Sequence, residues 1–408
     1  MSNSAPGPSI RRDKGVAGRA QRAAVFAAFV SHGLLFASWT AHIPQVKGHL
    51  GLSDGTLGLA LLGAPLGAVV AMVVTARALP RVGSQRMVQI TLLGYCLAGP
   101  VVGIAGSFAA LFAALFAWGA FQGALDVSMN TQAVTVERAA DRPMMPGFHG
   151  SWSIGAFAGA GIGVLGVAAG ISLTSQLLLL ALPIVAVTGP LSLRMLPDAD
   201  HAGGRRRAGQ AVIRLSGPVL VLGAIAFASM LCEGASADWA SVYLRGSVGV
   251  GAAAAGLGYT SFALAMTLVR LLGNRLLRRY RAGRLLPALA IFATAGFTAG
   301  LLGNAAAVVI AGFACLGAGL ALVIPTVNSA AGRLPGISQG TGIAMVSACG
   351  WVGFVFGPPI IGALASASSL TAALGVLPAL TACIAVATAR VRAIAPQPDR
   401  AGSVVPTA

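Results

Sequence analysis

Twelve apolar stretches of about 20 residues each follow one another along the chain, separated by arginine clusters, Gly/Pro breaks or a few polar residues. They run roughly over 22–41, 55–77, 87–106, 108–134, 148–168, 172–193, 217–240, 253–276, 285–303, 305–329, 337–365 and 369–391. A helix of that length crosses the hydrocarbon layer of a bilayer, which is about 30 Å thick. The shallowest breaks are Gly106-Ser107 and Gly303-Asn304. Soluble domains are about 25% charged, whereas only 9% of these 408 residues are charged and 56% are apolar. So few charges cannot cover a water-facing surface. This excludes an ordinary soluble enzyme, a secreted domain or a disordered chain, and predicts an all-α membrane protein with 12 transmembrane helices. The first stretch is too long for a signal-peptide core and no convincing cleavage site follows it, so it is expected to stay as the first helix.

The net charge is +17. In a soluble chain that would suggest nucleic acid, but here topology accounts for it. Basic residues cluster before the first stretch (Arg11 to Arg22), after the second (Arg77, Arg81, Arg86), fourth (Arg138, Arg142) and sixth (Arg194, Arg205, Arg206, Arg207, Arg214). They cluster again around the end of the eighth (Arg275 to Arg284), after the tenth (Arg333) and at the C-terminus (Arg390, Arg392, Arg400). All of these fall on one side. Only Lys47 and Arg245 fall on the other, and Arg270 lies within a stretch. The positive-inside rule then places both termini in the cytoplasm, in a cell inner membrane, with no call for a nucleic-acid partner. The five cysteines (Cys96, Cys232, Cys315, Cys349, Cys383) lie inside apolar stretches, neither paired nor at metal spacing, and read as small core residues.

The polar segment 196–216 divides the chain into a 22–195 bundle and a 217–392 bundle, with tails 1–21 and 393–408. The halves echo each other at an offset near 200: Trp39 with Trp239, Gly83 with Gly283, Asn130 with Asn328, and Gly155/Gly159 with Gly353/Gly357. This predicts two pseudo-symmetric six-helix bundles related as a parallel repeat.

An ionisable side chain at mid-membrane costs at least about 2.5–3.5 kcal/mol and must face a polar interior. In the fourth stretch Gln122, Asp126 and Asn130 stand four residues apart on one helix face. Asp126 lies about 27 Å from the outer end at 1.5 Å per residue, in the inner half of the membrane. The alternative for it is a helix-packing hydrogen bond. Glu233 is the second deep acid, with Ser229 and Ser236 on its face, in the outer half. Two acids facing one cavity from different halves suit proton coupling. Asp238 sits near the rim, where a headgroup contact is the plainer reading. His32 and His42 lie in or just after the first stretch, and His149, Ser151 and Trp152 open the fifth. His149 reads as a ligand or gate residue, or as a packed interfacial histidine. Trp39 and Trp239 read as belt anchors or as lids over a solute. Arg270 is expected to snorkel to the inner face; a salt bridge at an inner gate is the alternative. The Gly-x-x-x-Gly pairs permit close helix contact. There is no Gly-Lys-Ser/Thr phosphate loop, zinc-ligand spacing or nucleophile elbow, so neither ATP-driven transport nor an enzyme is supported, and no cofactor or metal is expected.

Twelve stretches, a basic central segment and a twofold repeat resemble the major facilitator superfamily over about 20–392. The superfamily's loop motif after helix two, Gly-x-x-x-Asp-Arg-x-Gly-Arg-Arg, is matched at Arg81 and Gly83, with Pro80 in the Asp place. The resemblance implies a gating role for these two. Leu125-Asp126-Val127-Ser128-Met129-Asn130 is similar to the acid-x-x-x-Asn face of fucose permease-like symporters, where the acid takes part in proton coupling. Their helix-one Asn-Asp-Ile-Leu-x-Pro segment is similar to Trp39-Thr40-Ala41-His42-Ile43-Pro44, with Thr40 in the place of the second acid. The 234–239 stretch Gly-Ala-Ser-Ala-Asp-Trp and Phe148-His149 resemble a bacterial inner-membrane branch near those permeases. Where the drug antiporter motif has Gly-Pro, this chain has Gly159-Ala160.

The expected protein is a monomeric secondary transporter of a small, sugar-like or otherwise polar solute, working by alternating access and coupled to protons. Asp126 and Glu233 are the coupling candidates. Gln122, Asn130, His149, Trp39, Trp239 and Asn328 are the solute-binding ones; Arg81, Gly83 and Arg270 are the gating ones. An efflux antiporter is the alternative, and a membrane enzyme or non-transporting sensor comes further behind. In a cysteine-free background, a cysteine replacing Gly203 should be labelled only from the cytoplasm and one replacing Lys47 only from outside. Equal labelling of both from outside intact cells would overturn the twelve-span topology.

Overall fold

A computed structural model describes residues 18–141, 144–197, 217–303, 305–335, 337 and 339–391. Most of the 196–216 segment, most of the 1–21 tail and the whole 393–408 tail lie outside them, as do the arginines at 11, 12, 142, 205–207, 214, 392 and 400. The described residues form helices and no strand. Six spanning helices make the first half: α1 (Arg19–His49), α2 (Asp54–Val82), α3 (Ser84–Val102), α4 (Phe108–Ala140), α5 (Met145–Ala168) and α6 (Leu173–Ser192). Six make the second: α7 (Gly217–Gly246), α8 (Ala252–Arg279), α9 (Ala282–Leu302), α10 (Ala306–Ala331), α11 (Gln339–Ala367) and α12 (Leu370–Arg390). Only α3, whose first turn holds Gln85 and Arg86, is less apolar than a typical span.

The breaks between helices have local causes. Ser107, extended, accepts the Ala110 N–H at 3.2 Å and so caps α4 at the shallow 106/108 boundary. Ser53 and Ser172 cap α2 and α6 in the same way. Gly83 joins α2 to α3 at φ 83°, a left-handed conformation that a residue with a Cβ resists. Glu137 near the end of α4 accepts the N–H groups of Met144 and Met145 at 2.6 and 2.7 Å, closing the start of α5 with a carboxylate at its positive end.

Helices pack in pairs through glycine. α1 lies along α5, where a Cβ at Gly155, Gly159 or Gly163 would come within 2.3, 2.2 or 2.5 Å of the carbonyls of Val30, Leu34 and Ser38. In the second half α7 lies along α11, and a Cβ at Gly353 would come within 2.2 Å of the Phe227 carbonyl. The glycines thus set backbone directly on backbone, which in lipid replaces the hydrophobic drive. Among the cysteines, Cys96 and Cys232 are buried as expected, but Cys383 is exposed. It turns outward from α12 with the apolar belt, because in lipid an apolar residue gains nothing from the interior.

The two halves meet at the arginine-poor end. There Gly58 of α2 sits against Pro358 and Gly362 of α11, with a Cβ at Gly58 only 2.6 Å from the Pro358 carbonyl. Ser241 of α7 donates to the Thr40 carbonyl of α1 at 2.6 Å, and Gly256 of α8 packs on Ala41 and Val164. An ion pair between Lys47 and Asp54 staples the α1–α2 turn at the same end. Toward the arginine-rich end α4 and α10 stand apart, leaving a cavity between the halves.

Gly159→Val should lower the melting temperature of the purified protein, with a loss of roughly 1–3 kcal/mol from overpacking. Gly161→Ala, two residues away where nothing lies within 4 Å of a new Cβ, should leave it unchanged. Equal effects would refute the α1–α5 backbone contact.

Candidate functional site

The cavity has a volume of about 260 Å³ and is walled by both halves. From the first half come Phe29, His32 and Phe36 of α1, Gln122, Asp126 and Asn130 of α4, and His149 and Trp152 of α5. From the second come Met230 and Glu233 of α7, Arg270 of α8, Asn328 of α10, and Trp351 and Phe354 of α11. Asn328 and His149 lie near the arginine-rich helix ends, while Glu233 and Phe354 lie deep. A second cavity, about 410 Å³, lies at the arginine-poor end, where His42, Gln45 and His49 accompany mostly aliphatic walls of the first half, with Ala252 of α8 at its edge. The first is walled by both halves and gathers both deep acids.

Asp126 is half-buried on the cavity wall. Asn130, one turn on, donates its amide N–H to the Asp126 backbone carbonyl at 2.8 Å and to the carboxylate Oδ1 at 3.2 Å. Among the described residues no basic side chain pairs with Asp126. The spacing on α4 places Gln122, Asp126 and Asn130 on one lining face.

Glu233 stands differently. Its Oε2 lies 3.6 Å from Arg270 Nη2. Arg270 is therefore not a residue that snorkels to the inner face, because its other donors are engaged at the centre. Nη1 donates to Ser153 Oγ of α5 at 3.0 Å, across the halves, and Nε donates to the Ala321 carbonyl at 3.3 Å. That carbonyl is available for a reason written in the sequence. Residue 325 is proline and has no N–H to return to residue 321, and α10 breaks at Ala321–Leu322. Ser153 is fully used: its hydroxyl donates to the His149 carbonyl at 3.3 Å and its own carbonyl accepts from Thr267 at 3.1 Å.

The deep end of the cavity is aromatic. Trp152 packs on Phe36 with ring centres 6.0 Å apart, Phe36 on Phe354 at 6.3 Å, and Phe354 on Trp351 at 5.6 Å. This row crosses from one half to the other. Trp152 also donates its indole N–H to His32 Nδ1 at 2.7 Å.

The structure brings Gln122, Asp126, Asn130, His149, Glu233, Arg270 and Asn328 to one cavity. It does not bring Trp39 or Trp239 there. Trp39 is buried edge-on against Trp118, with ring centres 6.0 Å apart. Trp239 lies well inside α7, not at its end, and is fully buried. Both are core residues rather than belt or lid residues, because the chain closes over them at the arginine-poor end. Arg81 is exposed and reaches the Arg77 carbonyl of its own helix at 3.4 Å, while Gly83 makes the α2–α3 turn. Neither touches the cavity. The sequence alone gives no role to His32, Ser153, Trp351 or Phe354. The available signal was a polar or aromatic residue within an apolar stretch, which is weak without knowing what each one faces.

Comparison with known proteins agrees with this architecture. Residues 24–337 match the sequence model of the Major Facilitator Superfamily. An uncharacterised MFS-type transporter of Yersinia pestis is 32% identical over 88% of this chain and 92% of its own length. Membrane protein MosC of Rhizobium meliloti is 32% identical over 85% of this chain and 84% of its own. Among solved structures, the nucleoside transporter NupG superposes with a TM-score of 0.71 at 11% identity, covering 91% of this chain and 98% of NupG. A bacterial homologue of the human lysosomal transporter Spinster superposes with a TM-score of 0.64 at 15% identity, covering 91% and 95%. Those two similarities show the fold alone, and the sequence matches show the family: the chain belongs to the major facilitator superfamily of membrane transporters.

Proposed function

We propose that the protein is a proton-coupled transporter of a small polar solute, with Asp126 as the coupling acid and the cavity between the halves as the solute site. The observation that carries this reading is the contrast between the two deep acids. Glu233 is matched by Arg270, whereas Asp126 faces the cavity with an amide partner and, among the described residues, no cation. A carboxylate left unpaired at membrane depth is costly to keep ionised. It therefore favours carrying a proton for part of a cycle in which water reaches it from alternate sides. Glu233 takes a secondary part in coupling, through its contact with Arg270.

Asn130, Gln122 and Asn328 offer hydrogen bonds from both halves, and the aromatic row offers a flat apolar face. That combination suits a neutral ring carrying hydroxyls, in the manner of a sugar, polyol or nucleoside. The lining supports cytoplasmic access in this state, given termini and arginine-rich loops in the cytoplasm of a bacterial inner membrane. Rocking of the bundles about the deep contacts would expose the same site to the other side. The protein works as a monomer, since each chain carries a complete cavity.

Proteoliposomes holding the protein should accumulate at least one compound from a panel of neutral sugars, polyols and nucleosides when an inward proton gradient is imposed. Asp126→Asn should lower gradient-driven accumulation by about tenfold or more while counterflow exchange of the same compound partly survives. Accumulation by Asp126→Asn equal to wild type would make Asp126 a packing residue. Exchange of a cationic drug for protons, with no uptake from the panel, would favour the efflux antiporter instead.

A further inference from the structure

His32 is a buried part of the cavity wall, with both ring nitrogens committed. Nδ1 accepts the Trp152 indole N–H at 2.7 Å, and Nε2 lies 3.3 Å from the Gln122 carbonyl. A carbonyl can only accept, and an indole N–H can only donate. The two contacts together therefore specify one tautomer: neutral, with its proton on Nε2. The ring is held flat as well, stacked on Tyr95 with centres 5.6 Å apart and planes 28° from parallel. Gly33 beside it lets α5 come close enough for the contact, since a Cβ there would lie 2.3 Å from the Trp152 carbonyl. His32 thus joins four helices: its own α1, α3 through Tyr95, α4 through Gln122 and α5 through Trp152.

We propose that His32 is a positioning residue that fixes the Trp152 indole as the apolar wall of the solute site, and that it carries no proton of the transport cycle. Trp152 begins the aromatic row that crosses between the halves, so its ring plane sets where a flat solute face can rest. A doubly protonated His32 would have no lone pair for the indole and would release it. Tyr95, in contact, and Asp126, His149, Glu233 and Arg270, on the same cavity, are the titratable and charged groups around the ring. The same commitment of both nitrogens distinguishes His32 from Asp126, whose carboxylate accepts from Asn130 and lines the cavity. The solute-facing part of this inference rests on the function proposed above; the contact itself does not.

The test uses the full-length protein in lipid nanodiscs and needs no solute. With nitrogen-labelled tryptophan, the Trp152 indole N–H resonance is identified by its loss in Trp152→Phe. In wild type it should exchange slowly with solvent and hold its position from about pH 6 to about pH 8. His32→Leu should speed its exchange by about tenfold or more. His32→Gln should restore slow exchange, because its amide oxygen can accept from the indole while its N–H donates to Gln122. With nitrogen-labelled histidine, wild-type His32 should show a bare Nδ1 and a protonated Nε2, a result that depends on no variant. The opposite tautomer, a Trp152 resonance that titrates with His32, or unchanged exchange in His32→Leu would overturn the proposal. Absence of uptake across the solute panel would instead overturn the proposed function and leave the His32–Trp152 contact standing.

Discussion

A backbone carbonyl without a donor has no water to turn to inside a bilayer, and each one left unsatisfied costs several kcal/mol. The architecture follows from how that constraint is met where proline interrupts a helix. Pro44 withholds an N–H from the Thr40 carbonyl, and Ser241 of the other half supplies a hydroxyl. Pro325 withholds one from Ala321, and Arg270 supplies its Nε–H. One break thereby becomes a joint between the halves, and the other anchors the cation that sits at the centre of the cavity.

Arg270 gathers more than the carbonyl. Its remaining donors reach Ser153 across the cleft and Glu233 on α7. A buried guanidinium is tolerable only when its donors and its charge are met, and here each of its three nitrogens has a distinct partner on a different helix. The charge pattern of the site follows from this. With Glu233 matched, Asp126 is the acid lining the cavity that pairs with no cation among the described residues, and so it is the one on which the proposed coupling rests.

The glycine contacts explain how such a site can be carried on moving parts. Gly155, Gly159 and Gly163 bind α1 to α5, and Gly353 binds α7 to α11, through direct backbone approach. These pairs lie within halves and are too tight to slide. Between the halves the contacts include the Gly58–Pro358 and Gly256–Ala41 approaches, the Thr40, Ser153 and Arg270 hydrogen bonds, and the Phe36–Phe354 ring contact. Rigid bundles with a separable seam are the arrangement that alternating access requires.

Hydrophobic length, arginine placement and the Gln122/Asp126/Asn130 spacing are properties of the chain read along its own axis. They determined the helical class, the twelve spans and one wall of the cavity, because a helix's length and faces follow directly from residue order. Which residues meet across helices does not follow from that order. Trp39 and Trp239 look alike in sequence and belong to the core, while Trp152 and Trp351 line the cavity. Arg270 looked peripheral, because an arginine some three turns from a helix end can reach the interface if nothing holds it. Only the tertiary structure decided that Ser153, Glu233 and the carbonyl freed by Pro325 hold it at the centre. In lipid, apolar and polar positions are sorted by what each side chain packs against rather than by contact with water, so the partner helices had to be in place before the site could be read.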